Sequence, residues 1–121
     1  MPRYIDGFVF PIKKTKLAAY RKIAAKAGKI WKEYGALEYI ECTGDDLNAA
    51  GMPTTFPKLA KTKAGETVIF SYIVYKSRKH RDSVNKKALA DPRLHEMCNP
   101  TNSPFDFRRM ACGGFKAIVE T

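Results

Sequence analysis

The stretch Thr67-Val-Ile-Phe-Ser-Tyr-Ile-Val-Tyr75 is apolar on both faces of the β-strand that its composition predicts. Successive side chains of a strand point to opposite faces, so this segment carries an apolar set on each face. The first set is Val68, Phe70, Tyr72 and Val74, and the second is Ile69, Ile73 and Tyr75. The chain's own helices can cover one face. The other face requires a partner, and a second copy of the chain is the simplest partner.

The length and composition are typical of one globular domain. The chain has 121 residues, 45% of them hydrophobic, so we expect a single domain over residues 1–121 with one core. No apolar run is long enough to cross a bilayer, and the first residues lack the apolar stretch of a secretory signal. The three cysteines form no Cys-x-x-Cys pair, which agrees with a reducing compartment. We therefore expect a cytoplasmic protein.

The formal charge of +10 is large for this length, and the lysines and arginines are concentrated in two predicted helical regions. Such a field attracts nucleic acid and other anionic ligands. No recognisable nucleic-acid-binding motif accompanies the charge, so a solvated helix surface is the favoured interpretation. RNA binding on the lysine-rich helix surface is the alternative.

Periodicity and turn residues divide the chain into strands, helices and loops. The predicted elements begin with a strand over residues 3–12 and a helix from 17 to 34, with Thr15 as N-cap and Gly35 at its end. The apolar residues of this helix recur at spacings of three and four and form one face, opposite the lysines. A strand over 36–43 follows, in which the interleaved Glu38 and Glu41 indicate a more polar face. The remaining elements are a loop to Gly65 with a helical turn near 47–50, a strand over 66–76, a helix capped by Ser77 that runs to about Ala90, and a strand over 108–119. Gly113-Gly114 inside the last strand suggests a bulge or the close approach of another backbone.

The order strand, helix, strand, strand, helix, strand is the split βαβ pattern of ferredoxin-like folds. Right-handed crossovers place both helices on one face of a four-stranded antiparallel sheet. The opposite face also carries apolar side chains, and a monomer would expose them as a large patch. We therefore expect α+β subunits that dimerise sheet to sheet.

Several short motifs are distributed along the chain, among them Tyr4-Ile5-Asp6-Gly7-Phe8, Trp31-Lys32-Glu33-Tyr34-Gly35, Tyr75-Lys76-Ser77-Arg78-Lys79-His80-Arg81-Asp82, Asp91-Pro92-Arg93 and Gly113-Gly114-Phe115. These motifs resemble those of the YbaA-like bacterial proteins of unknown function, which belong to the dimeric α/β-barrel superfamily. The resemblance implies a ferredoxin-like subunit that dimerises through its sheet, and no established activity. Its superfamily includes monooxygenases of small aromatic compounds, haem-degrading enzymes and metabolite-binding proteins. Phe107 replaces the small residue expected after Pro-Phe-Asp, which indicates a different pocket shape.

Asp6 is the first candidate site residue, because it lies within an apolar strand. An unpaired carboxylate there would cost several kcal/mol, so we expect a partner such as Arg109 or a tyrosine hydroxyl from a neighbouring strand. The pair is either structural or a ligand anchor, and the structural interpretation is favoured.

His80, Arg81, Asp82 and Asn85 form a polar cluster at the start of the second helix and are candidates for the rim of a pocket. His80 could shuttle a proton or bind an anion together with Arg81. Helix capping and surface ion pairs explain the same residues. The sequence predicts no metal site and no cofactor, although haem ligation by His80 stays open.

Three hypotheses follow. The first is a homodimer with a small-molecule pocket between sheet and helices, in its enzymatic form a cofactor-independent oxygenase. The second is a basic RNA-binding protein, and the third is a structural or interaction module without catalytic activity. The ligand-binding residues predicted by the first hypothesis are Asp6, Tyr39, Tyr72, His80, Arg81, Asn85 and Arg109.

Overall fold

The computed structural model describes residues 2–48, 51–97 and 103–121. Within them the chain forms four strands and four α-helices. In chain order these are β1 Tyr4–Lys13, α1 Leu17–Glu33, β2 Glu38–Thr43, α2 Phe56–Ala60, β3 Glu66–Tyr75, α3 Arg78–Leu89, α4 Pro92–Met97 and β4 Ala111–Lys116. Short 3₁₀ turns, Lys14–Lys16 and Phe107–Arg109, lead into α1 and towards β4.

The described strands form a sheet in the order β2-β3-β1-β4, and every neighbouring pair is antiparallel. The central pair, β1 and β3, runs in register from Tyr4 opposite Tyr75 to Lys13 opposite Glu66. This topology confirms the predicted α+β fold of the ferredoxin-like type. The edge strands are β2 and β4.

The core lies between one face of the sheet and the helices. Phe10, Ile69, Ile73 and Tyr75 point from the sheet into it, and each is at most 5% exposed. The helix side chains that pack in the same clusters are Tyr20, Ala24, Ala27 and Ile30 of α1, Val84 and Ala88 of α3, and Leu94 of α4. The predicted apolar stripe of the first helix is therefore the stripe that covers the sheet.

The opposite face of the sheet is covered only in part by the described residues. Val68 and Val74 are buried towards the ends of β3, whereas Phe70 between them is 43% exposed. Phe56 of α2 packs against the Phe70 ring, with centroids 6.1 Å apart. Phe115 of β4 is 62% exposed. Apolar surface is thus left exposed to solvent on the face of the sheet that carries Phe70 and Phe115.

Two of the three predicted helix caps are confirmed. Gly35 follows α1 with φ of 112°, a conformation that favours glycine. Ser77 precedes α3, and its Oγ accepts a hydrogen bond from the His80 amide at 3.2 Å. The prediction of Thr15 as N-cap is wrong. Thr15 lies in a 3₁₀ turn that leads directly into α1, and the Leu17 amide bonds the Lys14 carbonyl instead.

The long loop contains a short helix, α2, that the sequence analysis did not predict. Thr55 is its N-cap, and Pro57 lies in its first turn. Proline is tolerated there because the first amides of a helix have no intrahelical partner. The helical turn predicted near 47–50 includes residues 49 and 50, which lie outside the described residues.

The last strand is shorter than predicted and contains no bulge. Arg108 and Arg109 belong to a 3₁₀ turn, and β4 pairs continuously with β1 from Val9 opposite Ala111 to Tyr4 opposite Lys116. A Cβ atom at Gly114 would clash with the Tyr4 ring. The glycine therefore accommodates a side chain, not another backbone.

Candidate functional site

A cavity of about 530 Å³ lies between the covered face of the sheet and the helices. Its wall is mainly apolar and aromatic, with contributions from Phe8, Ile23, Ala27, Trp31, Ile73, Leu94, Phe105, Phe107 and Met110. Polar side chains interrupt that wall at separate places, namely Asp6, Tyr20, Tyr39, Glu41, Ser71, Arg81, Asn85 and His95. Apolar clefts with a few fixed polar groups are typical of small-molecule sites.

Asp6 is the buried charge of this cavity, and its side chain is only 7% exposed. It projects from the middle of β1, opposite Ile73 of β3. Arg81 Nη1 donates to Asp6 Oδ1 at 2.7 Å, and Asn85 Nδ2 donates to Oδ2 at 3.2 Å. A buried carboxylate requires both a countercharge and hydrogen bonds, and α3 supplies both.

Arg81 is fixed from three sides. Its Nε donates to Asp82 Oδ1 at 2.8 Å, and its guanidinium carbon lies 4.8 Å from the centroid of the Tyr4 ring. Burial acts to lower the pKa of Arg81, but the charge of Asp6 and the hydrogen bond to Asp82 outweigh it, and the pKa is raised. Arg81 therefore stays charged and keeps one orientation.

Asn85 connects the ion pair to two aromatic side chains. Its Oδ1 accepts from Trp31 Nε1 at 3.0 Å and from the Tyr75 hydroxyl at 2.9 Å, while its amide nitrogen faces Asp6. Burial, followed by the charge of Asp6, raises the pKa of Tyr75, so the hydroxyl remains a donor. The side-chain amide of Asn85 on α3 thus accepts hydrogen bonds from α1 and β3 and donates one to β1.

A second polar group lies on β2, where Glu41 holds two tyrosines. Tyr20 of α1 donates to Oε1 of Glu41, and Tyr39 donates to Oε2, both at 2.7 Å. Burial and then the charge of Glu41 raise the pKa of Tyr20. The Tyr20 phenol therefore remains a donor, and the two hydrogen bonds together occupy both oxygens of the Glu41 carboxylate.

The Glu41 group also borders a second depression. A groove of about 1130 Å³ runs along the outside between α1 and the edge strand β2, with Arg21, Lys29 and Lys32 on its helical side. Tyr20, Ala24, Tyr39 and Glu41 line both this groove and the inner cavity. These four residues form the partition between them.

Five of the predicted site residues border the cavity, namely Asp6, Tyr39, Tyr72, Arg81 and Asn85. The side chain of Tyr72 itself lies on the open face of the sheet, because Tyr72 alternates with Ser71 and Ile73 along β3 and its ring packs 6.1 Å from that of Phe70. His80 is not among the lining residues. Its Nδ1 accepts from the Lys76 amide at 3.0 Å, and its ring lies 6.0 Å from that of Tyr75. This geometry gives no support to a haem-ligating or proton-shuttling role in the cavity.

Arg109 does not contact Asp6. It lies in the 3₁₀ turn before β4, beyond the strand register that places Gly114 opposite Asp6. Its Nη1 donates to Glu66 Oε2 at 2.7 Å, and its Nη2 donates to Oε1 at 2.9 Å. The expected strand-to-strand pair is thus replaced by a helix-to-strand pair between Arg81 and Asp6.

Sequence reasoning missed Glu41, Tyr20, Trp31 and His95 as lining residues. Glu41 was interpreted as part of a polar edge face. The sequence held one signal for this position: Glu41 lies two residues after Tyr39, and residues two apart on a strand share a face.

No group of three His, Cys, Asp or Glu side chains in the described ranges could hold a metal ion. Cys42 and Cys112 are free and exposed, and Cys98 lies outside those ranges.

The sheet order, the helices α1, α3 and α4 on one face and the cavity between them define an α+β protein of the ferredoxin-like class. Solved structures share the fold over nearly the whole chain. SnoaB from Streptomyces nogalater, described as a cofactor-independent oxygenase, superposes with a TM-score of 0.62 at 12% identity, over 99% of this chain and 97% of that one. A dimeric ferredoxin-like protein from an uncultured marine organism gives a TM-score of 0.60 at 9% identity and full coverage of both chains.

The chain belongs to the family of proteins of unknown function called DUF1428, whose model matches residues 3–107. The uncharacterised protein YbaA of Escherichia coli K12 is 42% identical over 118 residues, which cover 98% of each chain. The resemblance to YbaA-like proteins is thereby confirmed. None of the helices in the described segments has the length and apolar character that a membrane crossing requires.

Proposed function

We propose that the chain is a cytoplasmic homodimeric protein that binds a small, largely apolar molecule in the cavity between sheet and helices. The observation that carries this proposal is the cavity of about 530 Å³, whose apolar wall is interrupted by fixed polar groups. A volume of that order suits one small organic ligand.

The polar groups favour a binding role because their geometry is set before a ligand arrives. Asp6, Arg81 and Asn85 hold one another through hydrogen bonds of 2.7 and 3.2 Å. Glu41 is held by two phenols at 2.7 Å. Groups fixed in this way lose little conformational entropy when a ligand binds, which raises affinity.

The dimer follows from the open face of the sheet. Phe70 and Phe115 are 43% and 62% exposed there, although each belongs to a paired strand. Packing two such faces together withdraws both rings from water, which is worth roughly 25 cal/mol per Å² of apolar surface. The fold is shared with a protein described as dimeric, which supports the same assembly.

The enzymatic form of this proposal is the oxygenation of the bound ligand without a cofactor. The fold is shared with SnoaB, described as a cofactor-independent oxygenase, and with a putative antibiotic biosynthesis monooxygenase from Nitrosomonas europaea at a TM-score of 0.56 and 13% identity. A fold alone does not assign a reaction. Ligand binding is therefore the primary claim.

The test of binding is a fragment screen by ligand-observed NMR, followed by a variant that fills the cavity. Ile23 lines the cavity from α1, and Ile23→Trp should abolish fragment binding. Ala19→Trp is the matched control, because Ala19 is exposed on the same helix. We expect the control to bind like the parent. Equal binding to both variants would contradict the cavity as the site.

RNA binding is the second candidate, favoured by the charge of +10 and by the exposure of Lys22, Lys26 and Lys29 on α1. Reversing all three to glutamate should abolish binding to mixed RNA at low salt if that surface binds it. Unchanged RNA binding in the reversed variant would reject the surface. RNA binding that competes with cavity fragments would count against the primary proposal.

A further inference from the structure

Glu41 differs from the other charged groups of the cavity in the partners it has. Asp6 is neutralised by Arg81 at 2.7 Å. Both oxygens of Glu41 accept hydrogen bonds, but from the neutral phenols of Tyr20 and Tyr39. Among the described residues no lysine, arginine or histidine forms an ion pair with it.

This arrangement leaves Glu41 with a negative charge that its hydrogen bonds support but do not neutralise. Each carboxylate oxygen has two acceptor positions, and one phenol occupies one position on each. The remaining positions can accept hydrogen bonds from a ligand. A partly buried carboxylate gains most from a donor that also carries positive charge, because the hydrogen bond is then charge-assisted.

The surroundings of Glu41 favour the same kind of ligand. The rings of Tyr20 and Phe105 lie at 90° with centroids 5.2 Å apart, and those of Trp31 and Tyr39 lie 6.3 Å apart. All four side chains line the cavity. The faces of aromatic rings carry negative electrostatic potential and attract cations. A cavity that combines aromatic side chains with a carboxylate is a suitable receptor for an organic ammonium group.

We infer that the cavity binds an organic cation, a compound with an ammonium group and an apolar or aromatic body. This inference rests on the proposed small-molecule function and names the class of ligand. The ammonium group donates to Glu41, and the body occupies the apolar part of the cavity near Ile73 and Phe8. The ion pair of Arg81 with Asp6 is already satisfied and leaves Glu41 as the anchor.

The positive net charge of the protein does not prevent the binding of a cation at Glu41. Lys22 and Lys26 are exposed on the outer side of α1, and solvent-exposed charges are largely screened beyond about 8 Å at physiological ionic strength. Arg21, Lys29 and Lys32 lie along the outer groove. These three charges disfavour a cation in the outer groove. The ammonium group therefore reaches Glu41 from the inner cavity, whose wall includes the exposed side chain of His95.

The test compares three probes of similar shape and different charge, 2-phenylethylammonium, 2-phenylethanol and 3-phenylpropanoate, by calorimetry on the full chain. We expect the ammonium compound to bind at least about ten-fold tighter than the alcohol, and the carboxylate compound to bind most weakly. Glu41→Gln should remove this preference and leave the affinity for the alcohol within about two-fold. Glu38→Gln, on the same strand and exposed, is the control that should change nothing.

The outcomes separate this inference from the proposed function. If the alcohol binds and the ammonium compound binds no tighter, the cation inference is overturned and the small-molecule proposal stands. If no probe of any charge binds, both are overturned. The comparison of probes on the unsubstituted protein is decisive even if Glu41→Gln fails to fold. A preference that persists in a folded Glu41→Gln variant would reject Glu41 as the anchor.

Discussion

Arg81 Nη1 lies 2.7 Å from Asp6 Oδ1, although 75 positions separate the two residues in the chain. The contact joins the middle of β1 to the first turns of α3 across the cavity. Both side chains are largely buried, at 19% and 7% exposure. The pair therefore combines two roles, because it fixes the helix on the sheet and places an oriented charge pair in the wall.

Arg81→Ala should destabilise the fold strongly, because it leaves the buried carboxylate of Asp6 without its countercharge. Removing one partner of a buried ion pair costs about 3 kcal/mol or more. Urea unfolding measures the change. Arg78→Ala is the control, since Arg78 is exposed on the same helix and should change stability by less than about 0.5 kcal/mol. Equal effects of both variants would show that the ion pair is unimportant.

Asn85→Ala should cost about 2 kcal/mol, because it removes the acceptor of two donors that are largely withdrawn from water, Trp31 Nε1 and the Tyr75 hydroxyl. Trp31 is the single tryptophan, so its indole N–H gives one assignable NMR signal. That signal should shift in Asn85→Ala and stay in place in Lys86→Ala, whose side chain is exposed. An unmoved indole signal in Asn85→Ala would contradict the hydrogen bond.

The ion pair of Glu66 with Arg109 should make stability depend on pH in acid. The hydrogen bond from Arg109, followed by that from the Lys63 amide, lowers the pKa of Glu66 from 4.5 to about 2, although burial acts in the opposite direction. A lowered folded-state pKa contributes stability above the unfolded value and loses it as pH falls towards the folded value. The stabilisation is therefore complete above pH 4.5 and disappears towards pH 2.

The measurement compares urea unfolding of the parent and of Glu66→Gln between pH 7 and pH 2. The parent should be the more stable at neutral pH, and the difference should shrink below pH 4.5. Other carboxylates whose pKa is lowered, such as Asp91 beside Arg93, contribute to both curves and cancel in the difference. A difference that stays constant with pH would contradict the ion pair.

The sequence predicted the sheet and the apolar face of α1, because strong periodicity determines both. It did not predict which side chains meet across the cavity. Arg109 was assigned to a strand next to Asp6, but it lies in a 3₁₀ turn and pairs with Glu66. Such a pairing depends on where a strand begins, and a shift of two or three residues at a strand end changes the neighbours of every side chain there.

The cavity group around Glu41 was missed for a different reason. Interleaved Glu38 and Glu41 in β2 indicated one polar face, whereas the structure places Tyr39 and Glu41 on the covered side and Glu38 on the other. Glu41 is tolerated there because Tyr20, from α1, supplies a phenol at 2.7 Å. That donor is 21 positions away, and only the packing of α1 on the sheet brings it near.

The last prediction concerns the oligomeric state and follows from the exposed apolar face of the sheet. Phe115→Glu should convert a dimer into a monomer, because two-fold symmetry then places two glutamates, one from each protomer, in the interface. The substitution should weaken association by about 100-fold or more, as expected when an aromatic anchor of an interface is replaced by a charge. Sedimentation velocity at micromolar concentration should give about twice the chain mass of 13.6 kDa for the parent and one chain mass for the variant.

Leu89→Glu is the matched control for this experiment, since Leu89 is 56% exposed but belongs to α3 on the helical side of the sheet. If the sheets pack face to face, this variant keeps the mass of the dimer. Dissociation by Leu89→Glu together with an intact Phe115→Glu dimer would place the interface on the helices. A parent that sediments as a folded monomer would show that the exposed rings of Phe70 and Phe115 are tolerated by a single subunit, and the proposed dimer would then be wrong.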